Sequence, residues 1–82
     1  MATKDLILQC LQWHGKAIGA VSKTTGKPRP ARYRELAEFL DLSVTQVAAY
    51  ATGRTEITVD LVIRIKNRFD KPWNTIGNLL ER

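Results

Sequence analysis

The sequence predicts an all-α fold, a compact bundle of five short helices in one domain spanning residues 1–82. Three observations predict it. Apolar residues recur at spacings of three and four along most of the chain. Breaking signals separate these runs: SKTTGKPRPA at 22–31, Asp41-Leu42-Ser43, Thr52-Gly53 and Pro72. No stretch alternates with period two for long enough to make a strand.

The first helix is carried by Ile7, Cys10, Leu11, His14, Ala17, Ile18 and Val21, one helical stripe. Thr3 is placed to cap it, with Asp5 in the first turn where the helix dipole favours an anion. Gly15 and Gly19 each weaken a helix, so it is expected to stop near His14, with a short second piece after it. Leu6, Leu8 and Trp13 lie off the stripe, giving more apolar surface than one core face requires, and part of it is expected to meet a partner. Residues 22–31 form a loop, since the residue before each proline is pushed away from helix. YRELAEFL, 33–40, resumes the helical period with Leu36, Ala37 and Leu40 on one face. Asp41 tolerates the left-handed backbone of a sharp exit. Ser43 caps the next helix, 44–51, whose inward residues are Val47 and Tyr50, and Thr52-Gly53 stops it. Thr58 caps VDLVIRIKNRF, and Pro72 ends that helix and opens WNTIGNLLER.

Composition narrows the function. Hydrophobic residues make up 44% of 82, enough for one modest core that an oligomeric partner would reinforce. With one cysteine, Cys10, and one histidine, His14, neither an internal disulfide nor a Cys/His zinc site is expected, and a reducing, cytoplasmic setting is the default. No apolar run approaches a membrane span, so no membrane association is expected. The net charge of +5 is unevenly spread. Residues 1–34 carry seven cations against Asp5 alone, a net of +6, while residues 35–82 carry six against seven, a net of −1. A basic block over 22–32 is either a solvated loop or a contact for phosphates.

Two short helices joined by Asp41-Leu42-Ser43 match the geometry of a helix-turn-helix over 33–53. Ala37 is small where the second helix would cross the first, Leu40 and Leu42 flank the turn, and Val47 plugs into the same core. A plain helical hairpin shares some of this pattern. RELAEFLDLSVTQVAAYATGR followed by ITVDLVIRIKNRFDKPWNTIGNLL resembles the lambda-repressor-like helix-turn-helix domains, the phage CI and Cro type. The likeness covers about residues 32–81 and includes the closing Trp73 and Leu79-Leu80.

The resemblance implies a sequence-specific transcriptional regulator, bacterial or phage-encoded, that lays residues 44–51 in the major groove of double-stranded DNA. It places Val44, Thr45, Gln46, Ala48 and Ala49 against base edges. It places Tyr33, Arg34, Thr52, Arg54 and Thr55 near phosphates, and the preceding basic stretch adds Lys27, Arg29 and Arg32. The stretch VTQVAAY is then explicable: Val47 and Tyr50 turn inward, while Ala48 and Ala49 are small so that the backbone approaches the bases. Gln46 has the paired donor and acceptor that adenine presents, and Val44, Ala48 and Ala49 suit thymine methyl groups. Asp41 stands where glycine is usual in the family, and Tyr50 where an aliphatic residue or tryptophan is usual. With no Arg or Asn on the reading face, affinity is expected to lean on the cationic loop, extended as an arm, and on shape readout.

A homodimer on a pseudo-palindromic operator is also implied, joined through the last helix by Trp73, Ile76, Leu79 and Leu80. Ending soon after that helix, the sequence is expected to be either a Cro-sized protein without a C-terminal oligomerisation domain or the excised N-terminal domain of a longer repressor. A different class is an antitoxin-like protein-interaction module using Leu6, Leu8 and Trp13, with DNA binding secondary. An RNA-binding role lacks the aromatics on which splayed bases stack. Cys10, His14, Trp13 and Trp73 are read as core, helix-end or dimer residues. Without a catalytic constellation, a phosphate-cradling loop or a metal cluster, no enzyme and no cofactor are expected.

Overall fold

The computed structural model describes residues 3–81, and five helices make up their regular structure: α1 (Thr3–Ala17), α2 (Tyr33–Leu40), α3 (Val44–Ala51), α4 (Val59–Phe69) and α5 (Trp73–Leu80). The only pairing outside them among the described residues is an isolated antiparallel bridge between Val21 and Pro28. The Cα radius of gyration, 12.4 Å, is close to the ~12 Å expected of a compact chain of this length. No described helix is long and apolar enough to cross a membrane.

Ends of helices follow from a few local devices. Ser43 accepts the Gln46 N–H at 3.1 Å and Thr58 accepts the Leu61 N–H at 3.2 Å, so α3 and α4 begin on side-chain caps. Four helices then leave through a left-handed residue, Gly19, Asp41, Gly53 and Asp70. At Asp41 the Leu42 N–H reaches back to the Ala37 carbonyl at 2.8 Å, satisfying an end carbonyl that the helix ladder leaves free. The remaining α2 carbonyls are met from α4: Arg64 donates to Leu40 O at 2.7 Å and Arg68 to Phe39 O at 3.0 Å. Arg68 also pairs with the Asp41 carboxylate at 2.9 Å. These cations sit at the negative end of the α2 dipole and fix the α2–α3 turn without a glycine.

α1 packs against α2, α3 and α5, and α4 against α2 and α5. The core between them includes Leu6, Ile7, Cys10, Leu36, Leu40, Val47, Ile65 and Ile76, each fully buried. Ala37, Val47 and Tyr50 are buried as the spacing requires.

The first helix departs from expectation in four ways. It does not stop near His14 but runs on to Ala17. The helix continues through Gly15, where residues 29–31 cross so closely that no side chain fits. Leu6 is core, not partner surface, while Ile18 and Val21 are exposed beyond the helix end. Trp13 is partly buried against Phe69, with ring centroids 5.5 Å apart, which leaves only Leu8 of that trio largely open.

Thr3 is not a cap either. Its buried hydroxyl accepts the Ile57 N–H at 3.0 Å and ties the start of α1 to the segment before α4. Thr3→Val keeps the shape and leaves that amide unpaired, so stability is expected to fall by ~1–3 kcal/mol, measured by urea unfolding. A change within error would show that water satisfies Ile57 N–H.

Candidate functional site

α3 presents one side to the core and one to solvent, and its sequence explains the division. Val47, Tyr50 and Ala51 are buried, so Val44, Thr45 and Gln46 in its first turn, with the small Ala48 and Ala49, form the outer side. Val44 is 46% exposed on that side. Arg32, Arg34 and Glu35 line a shallow depression with Val44, so the start of α2 and the start of α3 open onto one surface. Two arginines therefore flank the apolar, uncharged first turn of α3. Beyond its other end, Thr52, Gly53, Arg54 and Thr55 are exposed, and the Arg54 N–H closes the exit on Ala49 O at 2.9 Å.

Several expected site residues are already occupied. Gln46 Oε1 accepts the Ser43 N–H at 2.9 Å, completing a capping box, and only the amide NH2 is left to donate outward. A paired contact with adenine would require that box to open. The Thr52 hydroxyl donates to Ala48 O at 2.9 Å. Arg29 is turned inward, donating to the Glu35 carboxylate at 3.1 Å and to Pro30 O at 2.9 Å. Glu35 in turn accepts the Arg32 N–H at 2.7 Å. That amide first, and the Arg29 guanidinium second, hold its carboxyl below the usual range. The pair clamps the basic loop to the start of α2, a role the charge count alone did not suggest. Arg32 and Arg34 remain exposed on that surface, and Tyr33 between them in sequence is exposed as well.

Residues 22–28, expected as an arm, fold back on themselves. Ser22 N–H donates to Lys27 O at 2.8 Å, Gly26 turns with φ 68°, and Arg29 N–H donates to Ala20 O at 3.1 Å. Lys27 is thus held in a closed hairpin-like turn, its side chain exposed.

The last helix requires a correction. Ile76 and Leu79, expected at a dimer contact, are buried in the monomer core, 1% and 5% exposed. The single stripe of so short a helix is used up by α1 and α4. Trp73 is 53% exposed and Leu80 only partly buried. α4 contributes the unexpected remainder: Val59 and Ile63 are exposed at i and i+4, and Lys66 one turn on lies over the Trp73 ring at 5.7 Å. Reading VDLVIRIKNRF for its second apolar edge would have found these two.

Burial pushes the Cys10 thiol up to about 12, which leaves it protonated and unreactive near neutrality. No group of three or more His, Cys, Asp or Glu side chains gathers as for a metal among the described residues.

Comparison with protein-family models, with curated proteins and with solved structures finds no match. The reading of this surface accordingly rests on its own residues.

Proposed function

We propose that the chain is a sequence-specific double-stranded-DNA-binding regulator, in which α2 and α3 act as a helix-turn-helix and α3 enters the major groove. The observation that supports it most is the shared surface of Arg32, Arg34 and Val44 beside the uncharged outer side of α3. A helix admitted to a groove ~12 Å wide needs small side chains on its outer face and cations on both flanks for the phosphate strands. Ala48 and Ala49 meet the first need; Arg32 and Arg34 on one side and Arg54 on the other meet the second.

Roles divide accordingly. Arg34 and Arg54 position the protein on phosphates. Thr45, Val44 and Ala49 read base edges, with the Gln46 NH2 as an accessory donor, and Arg29 braces the loop. Replacing both Arg34 and Arg54 by Ala is expected to weaken every duplex alike and lower the salt slope by ~2. Thr45→Ala is expected to relax preference at one or two base pairs by ~1–3 kcal/mol. Competitive gel shifts on a selected site and its single-base variants check both. Uniform loss from Thr45→Ala would remove it from the reading face.

The protein acts as a homodimer through apolar residues that α4 and α5 leave open, Ile63 and Trp73 with the partly buried Leu80, and this pairing sets two α3 helices on a pseudo-palindrome. Ile63→Glu is expected to leave folding intact, since the residue is 42% exposed, and to shift sedimentation from dimer to monomer with weaker operator binding. An unchanged dimer would place the contact elsewhere.

A further inference from the structure

A groove of about 650 Å³ opens between α1, α2 and α4, on residues that the surface around α3 does not use. Its wall is aromatic. Trp13, His14, Phe39 and Phe69 pack in sequence: Trp13 to Phe69 at 5.5 Å, Phe69 to Phe39 at 5.0 Å, and Phe39 stacked on His14 at 4.5 Å. Ala17 and Ile18 extend the apolar surface, and Ile18 is nearly half exposed. Three cations, Lys16, Arg68 and Lys71, complete the lining, and none of the lining residues is acidic.

Those cations differ in what they have left to give. Arg68 is engaged with Asp41 and with Phe39 O. Lys16 and Lys71 have no carboxylate partner among the described residues, and Lys71 Nζ rests 4.9 Å from the centre of the Trp13 ring. His14 is 8% exposed, and its Nδ1 finds no hydrogen-bond partner among the described residues.

We infer that this groove is a binding site for a small planar aromatic carboxylate, its ring against Ile18 and the Trp13–Phe39–Phe69 wall and its anion between Lys16 and Lys71. Flat rings pack against the surface that partly buried aromatics leave open, and an ammonium already lying over Trp13 gains a carboxylate without leaving the ring. The volume lies within the ~300–1,000 Å³ of small-molecule sites, and the excess of unpaired cations selects an anion. The site stands on its own residues and does not depend on the DNA-binding proposal.

The test titrates 2-naphthoate into the full chain carrying Trp73→Phe, so that fluorescence reports Trp13, with amide chemical shifts followed alongside. Expected is saturable quenching with a Kd of about 1 mM or tighter, and shifts confined to the residues around Trp13, Ile18, Phe39 and Phe69. The neutral analogue 2-naphthamide and the Lys16→Glu/Lys71→Glu variant should each bind at least about tenfold more weakly. If that variant loses its helical signal, Lys16→Gln/Lys71→Gln takes its place with the same expectation. Failure to saturate, equal binding of the amide, shifts elsewhere, or indifference to the lysines would overturn the assignment. So would shifts of the groove residues themselves that grow with protein concentration alone, which would give the groove to a second copy.

Discussion

Leu79→Glu is expected to unfold the domain rather than merely separate its protomers. Leu79 is 5% exposed and belongs to the core that α5 closes over α1. Removing a buried leucine costs ~2–5 kcal/mol through lost transfer energy and the space left behind. A carboxylate in its place adds the penalty of an unpaired charge in an apolar site. A domain of this size holds only ~5–10 kcal/mol in total, so most of its stability goes. Circular dichroism melts check this: the helical signal should be lost or melt far below the parent, with Leu79→Ala in between. Ile63→Glu, on the open edge of α4, should stay within ~0.5 kcal/mol of the parent. A folded Leu79→Glu protein would mean that α5 packs differently.

Gly15→Ala should destabilise strongly although alanine is the better helix former. A Cβ at residue 15 would stand 2.5 Å from Arg29 O, 2.6 Å from Ala31 N and 2.8 Å from Pro30 C, all backbone atoms that no rotamer change removes. The 29–31 segment would have to move. That strains the Ala31 N–H to Leu11 O bond of 2.8 Å and the Arg29–Glu35 clamp on the start of α2. Overpacking of this kind costs ~1–3 kcal/mol or more, against a propensity gain of ~1 kcal/mol. At the upper end of that range the net loss is ~2 kcal/mol, which corresponds to a Tm lower by ~8–16 °C. Gly77 is the internal control. It is helical with no neighbour within 4 Å, so Gly77→Ala should raise stability by ~0.5–1 kcal/mol. Equal effects at both positions would contradict the close crossing at Gly15.

What could be read in advance, and what could not, follows from the range of each interaction. Helices 33–40, 44–51 and 59–69 have the expected bounds because their signals are local: Ser43 and Thr58 cap, and Asp41 and Gly53 exit. The last begins at Trp73 as expected and runs to Leu80, with Glu81 at its cap; Arg82 lies outside the described residues. α1 outruns its expected end because glycine propensity is local, while Gly15 answers to a loop fourteen to sixteen residues away. Thr3 and Leu6 were likewise assigned from one helix alone, yet their partners lie in other elements. At the site, the outer side of α3 was legible from its period. The prior engagement of Gln46, Arg29 and Thr52 was not, since composition counts donors without saying which are already bonded. Ile76 and Leu79 lie in the core rather than at the expected dimer contact because periodicity ranks a face as apolar without saying which neighbour covers it.

The central claim, that the outer side of α3 reads duplex DNA, is tested most directly by selecting binders from a pool of random duplexes at low salt and sequencing them. Arg34→Ala/Arg54→Ala and Thr45→Ala proteins are selected in parallel. The account predicts enrichment of a pseudo-palindrome with half-sites about one duplex turn, ~34 Å, apart. It further predicts the same but fainter motif for the arginine variant, and a motif degenerate at one or two positions for Thr45→Ala. A folded protein that retains no duplex from the pool, or retains all of them without enrichment, would contradict it.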